Sequence, residues 1–255
     1  MRQAYRTALV TGASSGIGES FARELAARGA DLVVVARRAD RLDALARELV
    51  ERYRVAVEVI AADLTDPGDR DEVARRLRHD PVDLLVNNAG YGAFGTFADL
   101  ALDDQLREIE LNVNALVRLT HAALPGMLAR GRGGVLNVAS MSGFAPSPGG
   151  ATYGATKAYV ASFSESLHAE VAGRGVHVTA LCPGFTRTDE AHDPHPLWLR
   201  REDVARAGLD AVELGRALCV PGLRYKAAMP ALKVLPRPLL RAAAHRLWKQ
   251  AADSL

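Results

Sequence analysis

Two cysteines in 255 residues, Cys182 and Cys219, are too few for a disulfide framework, and neither has a partner at metal-ligand spacing. That predicts a reduced, cytoplasmic chain. An excess of one charge is also missing. Lys+Arg 32 against Asp+Glu 30 gives a net charge of +2, and the arginines are interspersed with acids along helical stretches, which removes the electrostatic case for nucleic acid. No apolar run reaches membrane-spanning length. The amino-terminal M-R-Q-A-Y-R-T-A-L-V-T-G runs into a strand without an h-region, so no signal peptide is expected. No linker, low-complexity stretch or repeat divides the chain. With 49% hydrophobic residues there is enough apolar surface for one large domain over 1–255.

What is present is an alternation. Apolar β-rich runs fall at Thr7–Thr11, Asp31–Ala36, Val55–Ala61, Val82–Val86, Gly134–Ala139 and Val176–Leu181, with a seventh at Ala217–Val220. Between them lie segments of 3.6-residue periodicity, such as E-S-F-A-R-E-L-A-A-R. Continuous apolar strands alternating with helices imply an α/β, doubly wound, Rossmann-type sheet, mostly parallel, of about seven strands with helices on both faces. The polar, proline-bearing stretch T-R-T-D-E-A-H-D-P-H-P-L-W-L-R-R breaks the pattern and predicts a substrate lid around 186–215. The basic amphipathic segment around 236–252 is expected to be a helical tail. It is assigned to packing on the domain or a partner subunit rather than to a membrane surface.

The first strand leads into T-G-A-S-S-G-I-G, with Gly12, Gly16 and Gly18, and then a helix. Glycines at such a turn permit a tight bend and close approach to a pyrophosphate, which the helix N-terminus stabilises. The second strand ends at Ala36 without the acid that would accept bonds from a ribose 2′-OH; Arg37 and Arg38 follow instead. Two guanidinium groups suit a 2′-phosphate, so NADP(H) is favoured over NAD(H). Asp63 follows the third strand, placed to meet an adenine amino group, while Asp66 suits the cap of the helix beginning near Pro67.

Tyr153 and Lys157 in Y-G-A-T-K lie one helical turn apart on one face. A phenol has an unperturbed pKa of about 10, and an ammonium nearby favours the phenolate. A shift of about 3 units needs about 4 kcal/mol, more than an exposed ion pair supplies, so the site must be partly buried or assisted by an oxidised nicotinamide. Ser140 would bond a substrate oxygen on which negative charge develops.

Taken together, T-G-A-S-S-G-I-G, N-N-A-G (Asn87 to Gly90), L-N-V-N (Leu111 to Asn114), Ser140, Y-G-A-T-K and C-P-G-F-T-R-T (Cys182 to Thr188) resemble the short-chain dehydrogenase/reductase family, in its compact single-domain branch, over about Thr7 to Thr188. The resemblance implies Tyr153 as catalytic acid/base, Lys157 as its activator, Ser140 as the substrate-orienting serine and Asn112 as the catalytic asparagine, with Asn114 a close rival. It places Gly12, Ser15, Ile17, Asp63, Asn87 and Thr188 at cofactor contacts. Ser14, Gly16, Gly18, Arg37, Arg38, Leu64, Ala89, Gly90, Pro183, Gly184 and Thr186, with Tyr153 and Lys157, complete the expected nucleotide set. The activity implied is hydride transfer between NADP(H) and a ketone or secondary alcohol, of 3-oxoacyl, steroid-like or general type. An NAD-linked dehydrogenase and a non-catalytic cofactor sensor are the alternatives. Aromatic residues Phe94, Phe97 and Phe185 near the expected cleft favour a medium-sized apolar substrate. Ala158, Ala161 and Phe163 lie on a helix resembling those that pair family members into dimers and tetramers, or are ordinary core. His192 and His195 form H-x-x-H without a third ligand, so no metal is expected. No G-x-S-x-G surrounds a serine that could pair with His168 or His177, which sets aside a hydrolase.

Overall fold

A computed structural model describes residues 5–187 and 197–252. Its strands are β1 (Thr7–Thr11), β2 (Asp31–Ala36), β3 (Val57–Ala61), β4 (Leu84–Asn87), β5 (Gly133–Val138), β6 (Val176–Leu181), β7 (Thr186–Arg187), β8 (Leu199–Arg200) and β9 (Leu218–Cys219). Its helices are α1 (Gly16–Ala27), α2 (Ala39–Tyr53), α3 (Pro67–His79), α4 (Leu102–Ile109), α5 (Leu116–Arg130), α6 (Ala151–Glu170), α7 (Arg201–Glu213), α8 (Leu223–Val234) and α9 (Arg237–Ala252). The main sheet runs β3-β2-β1-β4-β5-β6-β9 with every pair parallel. The chain winds outward from β1 to β3, returns, and winds the other way from β4. The strand order therefore reverses between β1 and β4, which opens a crevice at their carboxyl ends.

The period-two alternation of these strands feeds two cores. Ala8, Val10, Val34, Leu84 and Leu136 face α1, α2 and α7 through Phe21, Leu42 and Leu209. Leu9, Val33, Val35, Leu85 and Val135 face α3 and α5 through Val73, Leu77, Leu119 and Met127. Neither face meets water, and so the strands read as continuous apolar runs. Local chemistry fixes the element ends. Asp66 accepts the N–H groups of Gly68 and Asp69 at 2.8 and 3.0 Å, with Pro67 opening α3.

The third strand begins at Val57 rather than Val55, because the Ala56 N–H turns to the Asp31 carboxylate at 2.8 Å. A π-helical stretch, Glu110–Ala115, joins α4 and α5. Such bulges are frequent at functional sites. The expected lid of 186–215 is too long: α7 occupies 201–213 and is core, with Val204, Ala205, Leu209 and Val212 fully buried against α1. Thr188, His192 and His195 lie outside the described residues. The expected tail falls on α9, where Leu240 is buried and Trp248 rests on Gly149, while Leu239 and Leu247 are exposed. Among the described residues no helix is long and apolar enough to cross a membrane.

Leu85 sits at the centre of β4 with no exposure. Leu85→Ala is expected to cost about 2–5 kcal/mol of stability, read as a lower guanidinium midpoint at unchanged slope.

Candidate active site

The crevice is built first by backbone. Gly12 and Gly16 take left-handed conformations, φ 68° and 59°, which glycine adopts without strain. Gly18 is required by contact instead: a Cβ there would lie 2.1 Å from the Gly12 carbonyl oxygen. The turn is locked to β4 by polar groups. The Thr11 hydroxyl donates to the Val86 carbonyl at 3.3 Å and accepts the N–H groups of Asn88 and Ala89, both at 3.0 Å. Asn88 Nδ2 donates to the Thr11 carbonyl at 2.9 Å. Asn88 and Thr11 were absent from the set expected from sequence, although Asn88 is the second residue of N-N-A-G. At the head of α1, the Ser15 side chain makes no capping bond. Arg38 crosses from the end of β2 and donates through Nη2 to Ser14 Oγ at 3.0 Å and Ser15 Oγ at 2.7 Å. A guanidinium and two hydroxyls thus stand together over the glycine turn. A close-approach turn, a helix N-terminus and this cluster fit a dinucleotide.

The remaining expected nucleotide residues distribute unevenly. Asp63 accepts the Thr65 hydroxyl and N–H at 2.7 and 3.0 Å and pairs with Arg107 at 2.6 Å. Burial raises its pKa, but the Thr65 bonds, Arg107 and Arg37 outweigh that and hold it below the ordinary carboxylate value. The Asn87 side chain turns inward, donating to Thr120 Oγ1 at 3.0 Å and Asn137 Oδ1 at 2.9 Å; Asn137 in turn donates to Ser164. Leu64 and Ala89 pack on the second core and Ile17 on the first. Pro183 accepts the Met141 N–H at 3.0 Å, and Thr186 Oγ1 donates to the Gly184 carbonyl at 3.0 Å. The Tyr225 ring covers Gly184 so closely that a Cβ would meet ring carbons at 2.0 Å. The Tyr225 hydroxyl accepts the Phe185 N–H at 3.1 Å and donates to the Leu197 carbonyl at 2.9 Å. It ties together chain on either side of 188–196, where β7 and β8 also pair.

The four expected catalytic side chains converge. Gly143 permits it: a Cβ there would lie 2.7 Å from the Ala158 nitrogen, so the Ser140 turn seats directly on the α6 backbone. Ser140 caps a short 3-10 turn, Met141–Phe144, and its Oγ accepts from the Ser142 hydroxyl at 2.8 Å. Lys157 is 5% exposed, with Nζ donating to the Val138 carbonyl at 2.8 Å and lying 5.6 Å from the centre of the Tyr153 ring. The π-helical stretch separates the two asparagines. Asn112 is buried, donates to the Tyr91 carbonyl at 2.9 Å and Thr156 Oγ1 at 3.1 Å, and accepts the Tyr91 N–H. Asn114 is exposed and bonds Glu110. Gly90 faces both Asn112 and Lys157, since a Cβ on it would lie 2.8 Å from Asn112 Oδ1 and 3.3 Å from Lys157 Nζ.

One expectation shifts: the Tyr153 pKa stands above, not below, the ordinary phenol value. Burial raises it, the Ser140 hydroxyl pulls it down and Glu108 pushes it up. Lys157 itself is pulled down to about 8 by burial, with Cys182 and Glu108 opposing. The desolvation that strengthens charge interactions here also penalises both charged forms. Within the protein's own field, Tyr153 stays protonated at neutral pH.

Other candidates fall away from the cluster. His168 and His177 bond the backbone carbonyls of Val178 and Val212, each at 2.9 Å. Among the described residues no His, Cys, Asp and Glu grouping could hold a metal ion. Ala161 is core, and Phe163 packs against two core clusters. Phe94, Phe97 and Phe185 are exposed, the Phe94 ring standing 5.4 Å from that of Tyr153.

A parallel sheet of this order, a glycine turn at its switch point and a Ser–Tyr–Lys–Asn cluster beside it define a nucleotide-binding oxidoreductase fold. The family described as short chain dehydrogenase matches residues 6–195, and the chain belongs to it. The chain is 38% identical to the very-long-chain 3-oxoacyl-CoA reductase of Bos taurus over 196 residues, 75% of this chain; it spans only 62% of that relative's length. A short-chain dehydrogenase from Sphingobium yanoikuyae, solved in complex with NADPH, superposes with a TM-score of 0.83 at 40% identity, covering 89% of this chain and 91% of that one. The bulky-bulky ketone specific alcohol dehydrogenase from Comamonas testosteroni superposes at 0.81 with 36% identity, covering 92% and 96%.

The Lys157 value carries a stability sign. Its folded-state pKa of about 8 lies below the ordinary 10.5, so the buried ammonium costs stability below about pH 8, and the cost fades as pH rises towards the unfolded value. Lys157→Met is expected to be more stable than the parent by roughly 1–3 kcal/mol at pH 7, with the Val138 carbonyl left unbonded as an offset. The difference should shrink by pH 10, as read by urea unfolding at both values.

Proposed function

We propose that the protein is an NADP(H)-dependent oxidoreductase that reduces a medium-sized apolar ketone, or oxidises the corresponding secondary alcohol, with Tyr153, Lys157, Ser140 and Asn112 as the catalytic set. The observation that carries this reading is the convergence of Ser140, Tyr153 and Lys157 beside Gly90 in the crevice. When bound, the nicotinamide nucleotide supplies or accepts the hydride. Ser140 and Tyr153 orient the substrate oxygen, and Tyr153 gives it a proton as negative charge develops there. Lys157 then favours the phenolate left behind, and the buried Asn112 holds the backbone of Tyr91, in the loop after β4, in place. A raised phenol pKa favours the protonated form that reduction needs.

The NADP(H) preference rests on Arg38 with Ser14 and Ser15, and on Arg37 beside it. The NADPH complex of the Sphingobium relative supports it. The apolar substrate class rests on exposed Phe94, whose ring stands 5.4 Å from that of Tyr153, on Phe97 and Phe185, also exposed, and on the bulky ketones named for the Comamonas relative. We read the chain as a single-domain cytoplasmic homodimer or homotetramer, with α5 and α6 as the pairing helices. Tyr159, 44% exposed and stacked on Phe163, marks the face they would share.

Two measurements test the proposal. Tyr153→Phe is expected to lower kcat for ketone reduction by about 10²–10⁴-fold while NADPH binding persists. Tight NADPH binding by the parent with no turnover across a panel of ketones and alcohols would instead mark a cofactor sensor. Arg38→Ala should raise KM for NADPH by about tenfold or more and leave KM for NADH unchanged. Equal effects on the two would remove the preference.

A further inference from the structure

Glu108 belongs to none of the roles above, yet it is a carboxylate with 0% exposure beside the catalytic pair. It sits one turn before Asn112 in α4, the helix that packs against α6. Its Oε2 accepts the Ala93 N–H at 3.0 Å, and its Oε1 has no partner among the described residues. Ala93 lies between two residues that touch Tyr153. A Cβ on Gly92 would come 2.8 Å from Tyr153 Cδ2, and the Phe94 ring is 5.4 Å from that of Tyr153. Three residues earlier on the same face, buried Gln105 bonds the Thr152 hydroxyl, immediately before Tyr153. Burying a charge is costly unless it is paired or bonded, and a neutral glutamine would satisfy the Ala93 N–H equally well. The retained charge therefore calls for a use.

We propose that Glu108 is a positioning residue for the reaction: it fixes the Gly92–Phe94 loop against the Tyr153 ring and holds a negative charge beside the Tyr153–Lys157 pair. This rests on the function proposed above. The titratable groups that face Glu108 are Tyr153 and Lys157 from α6 and Tyr91 from the loop after β4. Burial raises the pKa of Glu108, and the Ala93 N–H and Lys157 act against that. Its charge raises the pKa values of both Tyr153 and Lys157. Reduction needs a protonated phenol and a charged lysine, so both effects extend the reaction towards alkaline pH. Removing the charge should move the alkaline limb of the reduction profile downward, whichever of the two groups limits it.

The test compares the full chain with Glu108→Gln, which keeps an acceptor for Ala93, and Glu108→Ala, which removes both acceptor and charge. Ketone reduction with NADPH is followed across pH, and folding is checked by thermal melting. In Glu108→Gln the alkaline limb is expected about one pH unit lower, leaving about a fifth of parental activity at the parent's own midpoint. Glu108→Ala should show the same displacement together with a lower kcat at every pH. A limb coincident with the parent's in either folded variant overturns the proposal, as does a displacement upward. Phenolate ultraviolet absorbance titration, read as the difference against Tyr153→Phe in each background, gives the same answer without turnover. Tyr153 should ionise at lower pH once Glu108 is neutralised, and unchanged ionisation overturns the proposal. A parent that turns over no ketone would refute the function proposed above, while this titration still decides the role of Glu108.

Discussion

An ammonium group with almost no access to water is the constraint around which this site is assembled. Lys157 reaches the interior from α6 and is held by a backbone carbonyl at the end of β5. Burying a charge is unfavourable, and the sheet tolerates it only because the rest of the fold is thoroughly packed on both faces. The surroundings follow from that placement. Gly90 must be small to leave room for Nζ, Gly143 must be small to seat the Ser140 turn on α6, and the helix must unwind into a π-stretch to aim Asn112 at the same point. Stability is given up at the place where chemistry is gained.

The same low-polarity setting divides the work between Tyr153 and its neighbours. Raising a phenol pKa by burial keeps it protonated at neutral pH and makes its phenolate costly to form without a compensating charge. Oxidation would need a positive charge close to the phenol, and within the protein that charge is directed first at the Val138 carbonyl.

The order of the sheet was legible in the sequence because each strand carries its own apolar run and each turn its own glycine. β1, β2 and β6 fall where the runs begin and end. That Ser140, Tyr153, Lys157 and Asn112 come together was legible because they sit in short motifs. What sequence alone could not show was long-range polar pairing. Asn88 and Thr11 meet across 77 positions and Arg38 and Ser14 across 24. Glu108 carries no signal of its own, because nothing local says that the loop after β4 will bond it. The lid was overextended for a related reason: α7 carries enough arginine and acid to look solvated, although one stripe of it is core.

Tyr225 has an implication for how such proteins diversify. One hydroxyl takes the Phe185 N–H and gives to the Leu197 carbonyl, while β7 and β8 close the same base by pairing. A connection stapled at its root can be lengthened, shortened or rewritten in between at modest entropic cost, because its ends stay where they are. Sequence change can then accumulate between those ends while Pro183 and Gly184 keep their contacts with Met141 and Tyr225.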